Sequence, residues 1–236
     1  MQPATPTIAL DQRRSRVHQA VRELMAEQGF RISMDAVAAR AGCSKQTLYA
    51  HFGSKQELLR SVIAEHQELA TARLSPTVED PRQALLAFAE EHLRHLCDPS
   101  VVATRRLLMA EAHQFPQEAQ ALYRDACDTL VQRLAAWLQH AMDQGRLRHD
   151  DPHYAAELLL SMMTGLDFDR QHFGVPHRAG AKARGRWAGF AVDAFLRGFA
   201  PTTPDPEIPT PAVPGRRLRS LHSPSPTSRK RNGASP

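Results

Sequence analysis

The chain has 236 residues, 42% of them hydrophobic and 23% charged, the balance of a soluble protein with one large domain or two modest ones. No run of 18 apolar residues occurs, and the segment MQPATPTIALDQRR puts its charges after weakly apolar residues, the reverse of a signal peptide. A cytoplasmic protein with no membrane partner is therefore expected. Three cysteines, Cys43, Cys97 and Cys127, with no CxxC spacing, argue against a disulfide framework and a cysteine zinc site.

The formal charge of +5 points to a polyanionic partner only once it is located. Residues 1–70 carry 9 Lys and Arg against 7 Asp and Glu, residues 71–200 carry 15 against 16, and residues 201–236 carry 6 against 2. The last segment also holds 9 of the 17 prolines. With almost nothing to bury it cannot offset the entropy of ordering, so residues 201–236 read as a disordered basic tail and residues 1–10 as a disordered N-terminus.

Between these ends apolar positions recur at three and four, never persistently at two, which predicts an all-α chain of about nine helices. Asp80-Pro81, Asp98-Pro99 and Asp151-Pro152 each place an N-cap before a first-turn proline. One-sided stripes follow: Leu122 to Ala141, Ala155 to Leu166 and, after a Gly/Pro/His loop at 173–180, Trp187 to Phe199.

Function is concentrated in residues 32–59, ISMDAVAARAGCSKQTLYAHFGSKQELL. Ser33 can cap a short helix whose Asp35 suits the positive end of the dipole. Gly42 can end it in a left-handed turn, and Ser44 can cap the next helix after only Gly42-Cys43-Ser44. Two short helices joined in this way form a helix-turn-helix arrangement.

On the second helix Leu48 and Phe52 share the core face, Gln46, Thr47 and Ala50 lie opposite, and Lys45, Tyr49 and His51 flank them. An exposed face this small and polar suits docking: Gln can bond adenine bidentately, and the Thr methyl or Ala50 can pack on a thymine methyl. Ser54 with Glu57 predicts a capping box opening the following helix, with Lys55 on its first turn as a phosphate anchor.

The run from Ser44 to Leu59, with the preceding Asp35-Ala36-Val37-Ala38 and Ala41-Gly42, resembles the DNA-binding signature of TetR/AcrR-type transcriptional regulators over roughly residues 13–60. Cys43 stands where that pattern usually has a branched apolar residue, and a buried free Cys serves as a small hydrophobe. The resemblance implies that Thr47, Tyr49, His51 and Lys55 contact operator DNA, mostly its backbone, with Lys45 and Gln46 nearest the bases. Residues 81–200 resemble the ligand and dimerisation domains of the same family, and the stretch from Arg105 to Pro116 is similar to an AefR-like subgroup. This implies a homodimer built on the last two core helices and an effector pocket between the middle ones.

The organisation expected is thus a helix-turn-helix domain at 11–60 and a helical effector-binding and dimerisation domain at 61–200. Phe88, Met109, Phe115, Tyr123, Trp137, Met162 and Met163 are candidate lining for an apolar effector pocket, with ordinary core packing as the alternative for each. His92, His95 and Cys97 are close in sequence but lack further ligands at a recognisable spacing, so no metal and no cofactor are expected. Nothing near Cys97 or Cys127 predicts the thiolate an oxidant sensor needs. No GxSxG, P-loop, HExxH or paired-carboxylate context occurs, which excludes an enzyme reading. The leading expectation is a homodimeric, ligand-responsive repressor that binds double-stranded operator DNA and is released by a small apolar or amphipathic effector. The alternative is a constitutive or architectural DNA-binding protein without an effector.

Overall fold

In chain order the helices of this computed structural model, which describes residues 6–74 and 80–201, are α1 (Pro6–Gln28), α2 (Met34–Ala41), α3 (Lys45–Phe52) and α4 (Lys55–Thr71), then α5 (Pro81–Leu96), α6 (Pro99–Glu111) and α7 (Pro116–Tyr123), and finally α8 (Thr129–Asp143), α9 (Pro152–Thr164), α10 (Asp167–His172) and α11 (Ala181–Gly198). A 3₁₀ turn, Gly29–Arg31, follows α1, and a π-helical turn, Arg124–Asp128, joins α7 to α8. No strand occurs among the described residues. The tail expected at 201–236 lies outside them from 202 onward, as do residues 1–5. Helix α1 begins at Pro6, inside the N-terminal segment expected to be disordered, because extending a nucleated helix gains one hydrogen bond for each residue fixed.

All three Asp-Pro starts form as expected. Asp80 accepts the Arg82 N–H at 2.9 Å, Asp98 the Ser100 N–H at 2.9 Å, and Asp151 those of His153 at 2.8 Å and Tyr154 at 3.0 Å. Each cap satisfies donors that the first turn leaves unpaired and contributes about 1 kcal/mol. The short α10 occupies sequence with no amphipathic stripe, which is why periodicity gave fewer helices than are present.

Two apolar cores result. The head core gathers Val17, Val21 and Leu24 of α1, Phe30, Ile32, Val37 of α2, Leu48 of α3 and Leu58 of α4. The body core gathers Leu85 and Phe88 of α5, Leu134, Leu138 and Met142 of α8, Leu159 and Met163 of α9, and Val192 and Phe195 of α11. The division near residue 60 is not clean. Leu108 of α6 lies in the head core, with Phe115, Ala119 and Leu122 packed against it, while α4 carries Leu58 in the head and Ala70 in the body.

The π turn accounts for one part of this junction. The stripe from Leu122 to Ala141 is a single helical path, but the extra residue of a π turn rotates the face that follows it. Leu122 consequently packs on the head core, and Leu130 onward on the body core. Such a turn also leaves carbonyls without their helical donors, and the buried Gln67 of α4 supplies one: its Nε2 donates to Asp125 O at 2.6 Å and to Ala126 O at 3.1 Å.

Candidate nucleic-acid interface

The Ser33 hydroxyl accepts the Ala36 N–H at 3.1 Å and opens α2. Gly42 ends it at φ 67°, ψ 40°, and the Cys43 N–H reaches back to Ala38 O at 3.0 Å, a left-handed cap that a side chain would strain. Two residues later the Ser44 hydroxyl accepts the Thr47 N–H at 3.0 Å and opens α3. Caps on both sides of a three-residue turn leave α2 and α3 little freedom to change their mutual angle.

Leu48 is fully buried and fixes which side of α3 faces the core, while Phe52 packs at the edge of the head core with its ring 5.9 Å from that of His18. Gln46, Tyr49, Ala50 and His51 are exposed. Thr47 is half-buried, and its hydroxyl lies 2.7 Å from that of Ser44. The Lys45 ammonium pairs with Asp35 of α2 at 2.9 Å, which raises its pKa. Lys55 is half-buried, and its ammonium donates to Phe30 O at 2.7 Å while burial lowers its pKa. The expected capping box forms only in part: the Ser54 hydroxyl accepts the Glu57 N–H at 3.1 Å, but the Glu57 carboxylate turns to Arg60 at 2.6 Å. A charged partner on the next turn draws it away from the helix start.

Sequence reasoning did not single out His18. It is completely buried on α1, with Nδ1 2.9 Å from Glu65 Oε2 and Nε2 2.9 Å from Ser61 Oγ, both on α4. Arg22 also reaches Glu65, at 3.1 Å. These bonds lock α1 to α4 beneath α3. The only sequence signal was a polar residue inside an apolar stripe.

A 44-residue stretch, 19–62, matches the family model for bacterial regulatory proteins of the tetR family, and residues 83–201 match the C-terminal domain of AefR-like transcriptional repressors. The chain belongs to the TetR family. Members are transcriptional regulators, not enzymes, and their N-terminal helix-turn-helix domain binds DNA. The transcriptional regulator UidR of Escherichia coli K12 is 30% identical over 158 residues, 65% of this chain and 79% of its own. The structure of a TetR-family regulator from Mesorhizobium loti superposes with a TM-score of 0.66 at 25% identity, covering 80% of this chain and 96% of that one. The flavonoid-responsive regulator FrrA gives 0.60 at 31% identity, covering 81% and 98%.

The candidate effector-pocket residues of this TetR-family chain do not meet in one place. Phe88, Trp137 and Met163 are buried in the body core, with Met162 packed against it. Phe115 lies against the head core, its ring 5.8 Å from that of Phe30. Met109 and Tyr123 are exposed. Between α5, α9, α10 and α11 the body holds a cavity of only about 10 Å³, lined by Leu93, Cys97, Asp167, Phe168, Gln171 and Arg178 among others. That is room for one water. No group of three or more His, Cys, Asp or Glu suited to a metal occurs among the described residues.

A polar cluster lies between α4 and α5. The rings of His66 on α4 and His95 on α5 stack with centroids 3.2 Å apart, and the His92 ring stacks on Phe88 at 5.7 Å. Burial pushes the pKa of His66 down to about 4 and those of His92 and His95 to about 3, so all three are neutral at pH 7. Burial also raises the Cys97 and Cys127 thiols above their ordinary value, the opposite of what a reactive cysteine requires.

Proposed function

We propose that this regulator is a homodimeric repressor whose grip on operator DNA is released by a small apolar or amphipathic effector held in the body, in a cytoplasmic setting. The observation that carries this reading is the course of α6. One helix of 13 residues, Pro99–Glu111, carries Arg105 near His92 of the polar cluster, Leu108 in the head core and the buried Glu111 at its end. A displacement of α6 in the body must be felt by the head. Only a ligand with different affinity for the two placements would shift their populations.

In this reading Tyr49, Thr47, His51 and Lys55 contact phosphates and Gln46 and Lys45 lie nearest the bases, because all but Lys55 lie on the outward side and ends of α3 and Lys55 opens α4. Dimerisation through α9 and α11 is supported by the apolar side chains those helices expose, Tyr154 and Leu158 on one and Phe190 on the other. A dimer would set two recognition helices about 34 to 36 Å apart, or a multiple of it, to meet successive major grooves. A flavonoid-responsive relative 31% identical to this chain adds support for an aromatic or amphipathic effector.

A second reading, constitutive or architectural DNA binding without an effector, draws on the small size, about 10 Å³, of the cavity between α5, α9, α10 and α11. Footprinting the purified protein on the DNA flanking its own gene, followed by titration of that site with a library of small aromatic and amphipathic molecules, separates the two. Protection that some ligand abolishes supports the repressor reading. Protection that no ligand alters supports the second, and absence of a specific footprint sinks both.

A further inference from the structure

Arg105 is a half-buried cation without a counter-ion among the described residues. Arg105 on α6 donates through Nη2 to Leu96 O at 3.3 Å and lies over the Phe168 ring at 4.4 Å, yet its Nε and Nη1 are buried with no acceptor among the described residues. Its titratable neighbours are Cys97 and Cys127, whose thiols burial keeps protonated, and no carboxylate is among them. Arg106, the next residue, is committed elsewhere, to Gln171 O on α10.

Two further polar atoms around this position have no hydrogen-bond partner among the described residues. His92 is 7% exposed and its Nδ1 has no hydrogen bond; Gln171 is 8% exposed and its Oε1 has none, while its Nε2 donates to Cys97 Sγ at 3.3 Å. The Arg105 charge is close enough to help hold down the pKa of His92. A half-buried guanidinium is costly to leave uncompensated, and buried polar atoms without partners on His92 and Gln171 add to that cost. These are the parts of a ligand site in which the ligand brings the negative charge.

We infer that the effector is an organic acid, its carboxylate seated on Arg105 and its apolar body against Phe168. The inference rests on the effector-response reading above and names its ligand class. Guanidinium and carboxylate form the strong charge-assisted pair, and neutral His92 beside it can donate a further hydrogen bond. Gln171 Oε1 offers an acceptor to a hydroxyl on the same ligand. Phe168 and Gln171 also line the neighbouring cavity of about 10 Å³, too small for such a ligand, which would enter by displacing α10, a helix of six residues tied to α6 by Arg106. Arg105 stands six residues before Glu111 on α6, so the carboxylate would act about 9 Å along one helix from the contact with the head.

The test uses the full-length protein with phenylacetate, cinnamate and decanoate, each beside its primary amide. Affinities are measured by calorimetry for the parent, Arg105→Gln and Arg105→Lys, and operator affinity is measured with each ligand. At least one acid is expected to bind the parent at least about tenfold more tightly than its amide. Arg105→Gln should bring the two within about twofold and Arg105→Lys should keep most of the preference. Equal binding of acids and amides, a preference that survives Arg105→Gln, or no acid bound at millimolar concentration would overturn the inference. If Arg105→Gln does not fold, the acid and amide comparison in the parent and the Lys variant still decides. Amides that release operator with no acid preference would leave ligand response standing without this site. Acids that bind through Arg105 but leave operator affinity unchanged would establish the site and remove the switch.

Discussion

The carboxylate of Glu111, buried at the end of α6, accepts the backbone N–H of Phe30 at 3.1 Å. It also pairs with Arg31, so α6 of the body is tied to the 3₁₀ turn that closes α1 of the head. Gly29 lies under the same carboxylate at φ 57°, where an added Cβ would collide with Glu111 Oε2. One acidic side chain thus spans the junction through which a body movement would have to pass.

Removing that tie should loosen the junction without unfolding either core. Glu111→Gln leaves a group able to accept from Phe30 but takes away the charge facing Arg31, and Glu111→Ala orphans a buried N–H at a cost of about 1 to 3 kcal/mol. Urea unfolding should rank parent, Gln and Ala in falling order. Gly29→Ala, strained at its φ and overpacked, should cost a similar amount. Equal midpoints across the series would show that the junction is held by Leu108 and Phe115 instead.

At the interface the residues should fall into two kinds. Lys55→Ala should weaken binding to every DNA sequence and reduce the slope of log affinity against log salt by about one unit, the signature of a lost phosphate contact. Tyr49→Phe should weaken binding uniformly. Gln46→Ala should instead cost about 1 to 3 kcal/mol at the best operator and relax preference at one base position. A uniform loss for Gln46→Ala, read from binding to a library of single-base operator variants, would move it to the backbone group.

The exposed apolar face of α9 and α11 gives a clean assembly test. Phe190→Lys or Leu158→Lys places a charge where a second copy is proposed to pack, and neither side chain belongs to the buried core. Sedimentation should show the parent as a dimer and the variants shifted to monomer, with unchanged helical content by circular dichroism. A monomeric parent at micromolar concentration would refute the dimer.

Stability should fall with acid in a way set by His66, His92 and His95. Their folded pKa values, about 4, 3 and 3, lie below the value of about 6.5 for an unfolded histidine, so the folded state binds fewer protons between these limits. Stability is complete above pH about 6.5 and drains away as pH falls toward 3. Each histidine contributes a slope of up to about 1.4 kcal/mol per pH unit. Glu91, Arg94, Asp98 and Arg105 act on the same cluster. His92→Gln should flatten the fall of melting temperature between pH 6.5 and 4, and an unchanged profile would place the acid sensitivity in other groups.

The sequence alone determined whatever depends on neighbours in the chain. Capping by Ser33, Ser44 and Ser54, the left-handed Gly42 and the Asp-Pro starts are contests between a backbone and side chains two or three residues away, and the helical period of Leu48 and Phe52 assigns the inner face of α3. The candidate DNA-facing residues followed from that assignment. Only the tertiary structure decided which apolar stripe meets which. A helix face states that a side chain is buried without naming its partner, so Phe115 joined the head core, Phe88 the body core, and Met109 remained outside. Gln67 could not be matched beforehand to the carbonyls of a π turn 58 residues away. Nor could Arg105 be identified as a half-buried charge with no counter-ion among the described residues, because an unpaired charge is defined by everything that surrounds it, and the chain order holds none of that.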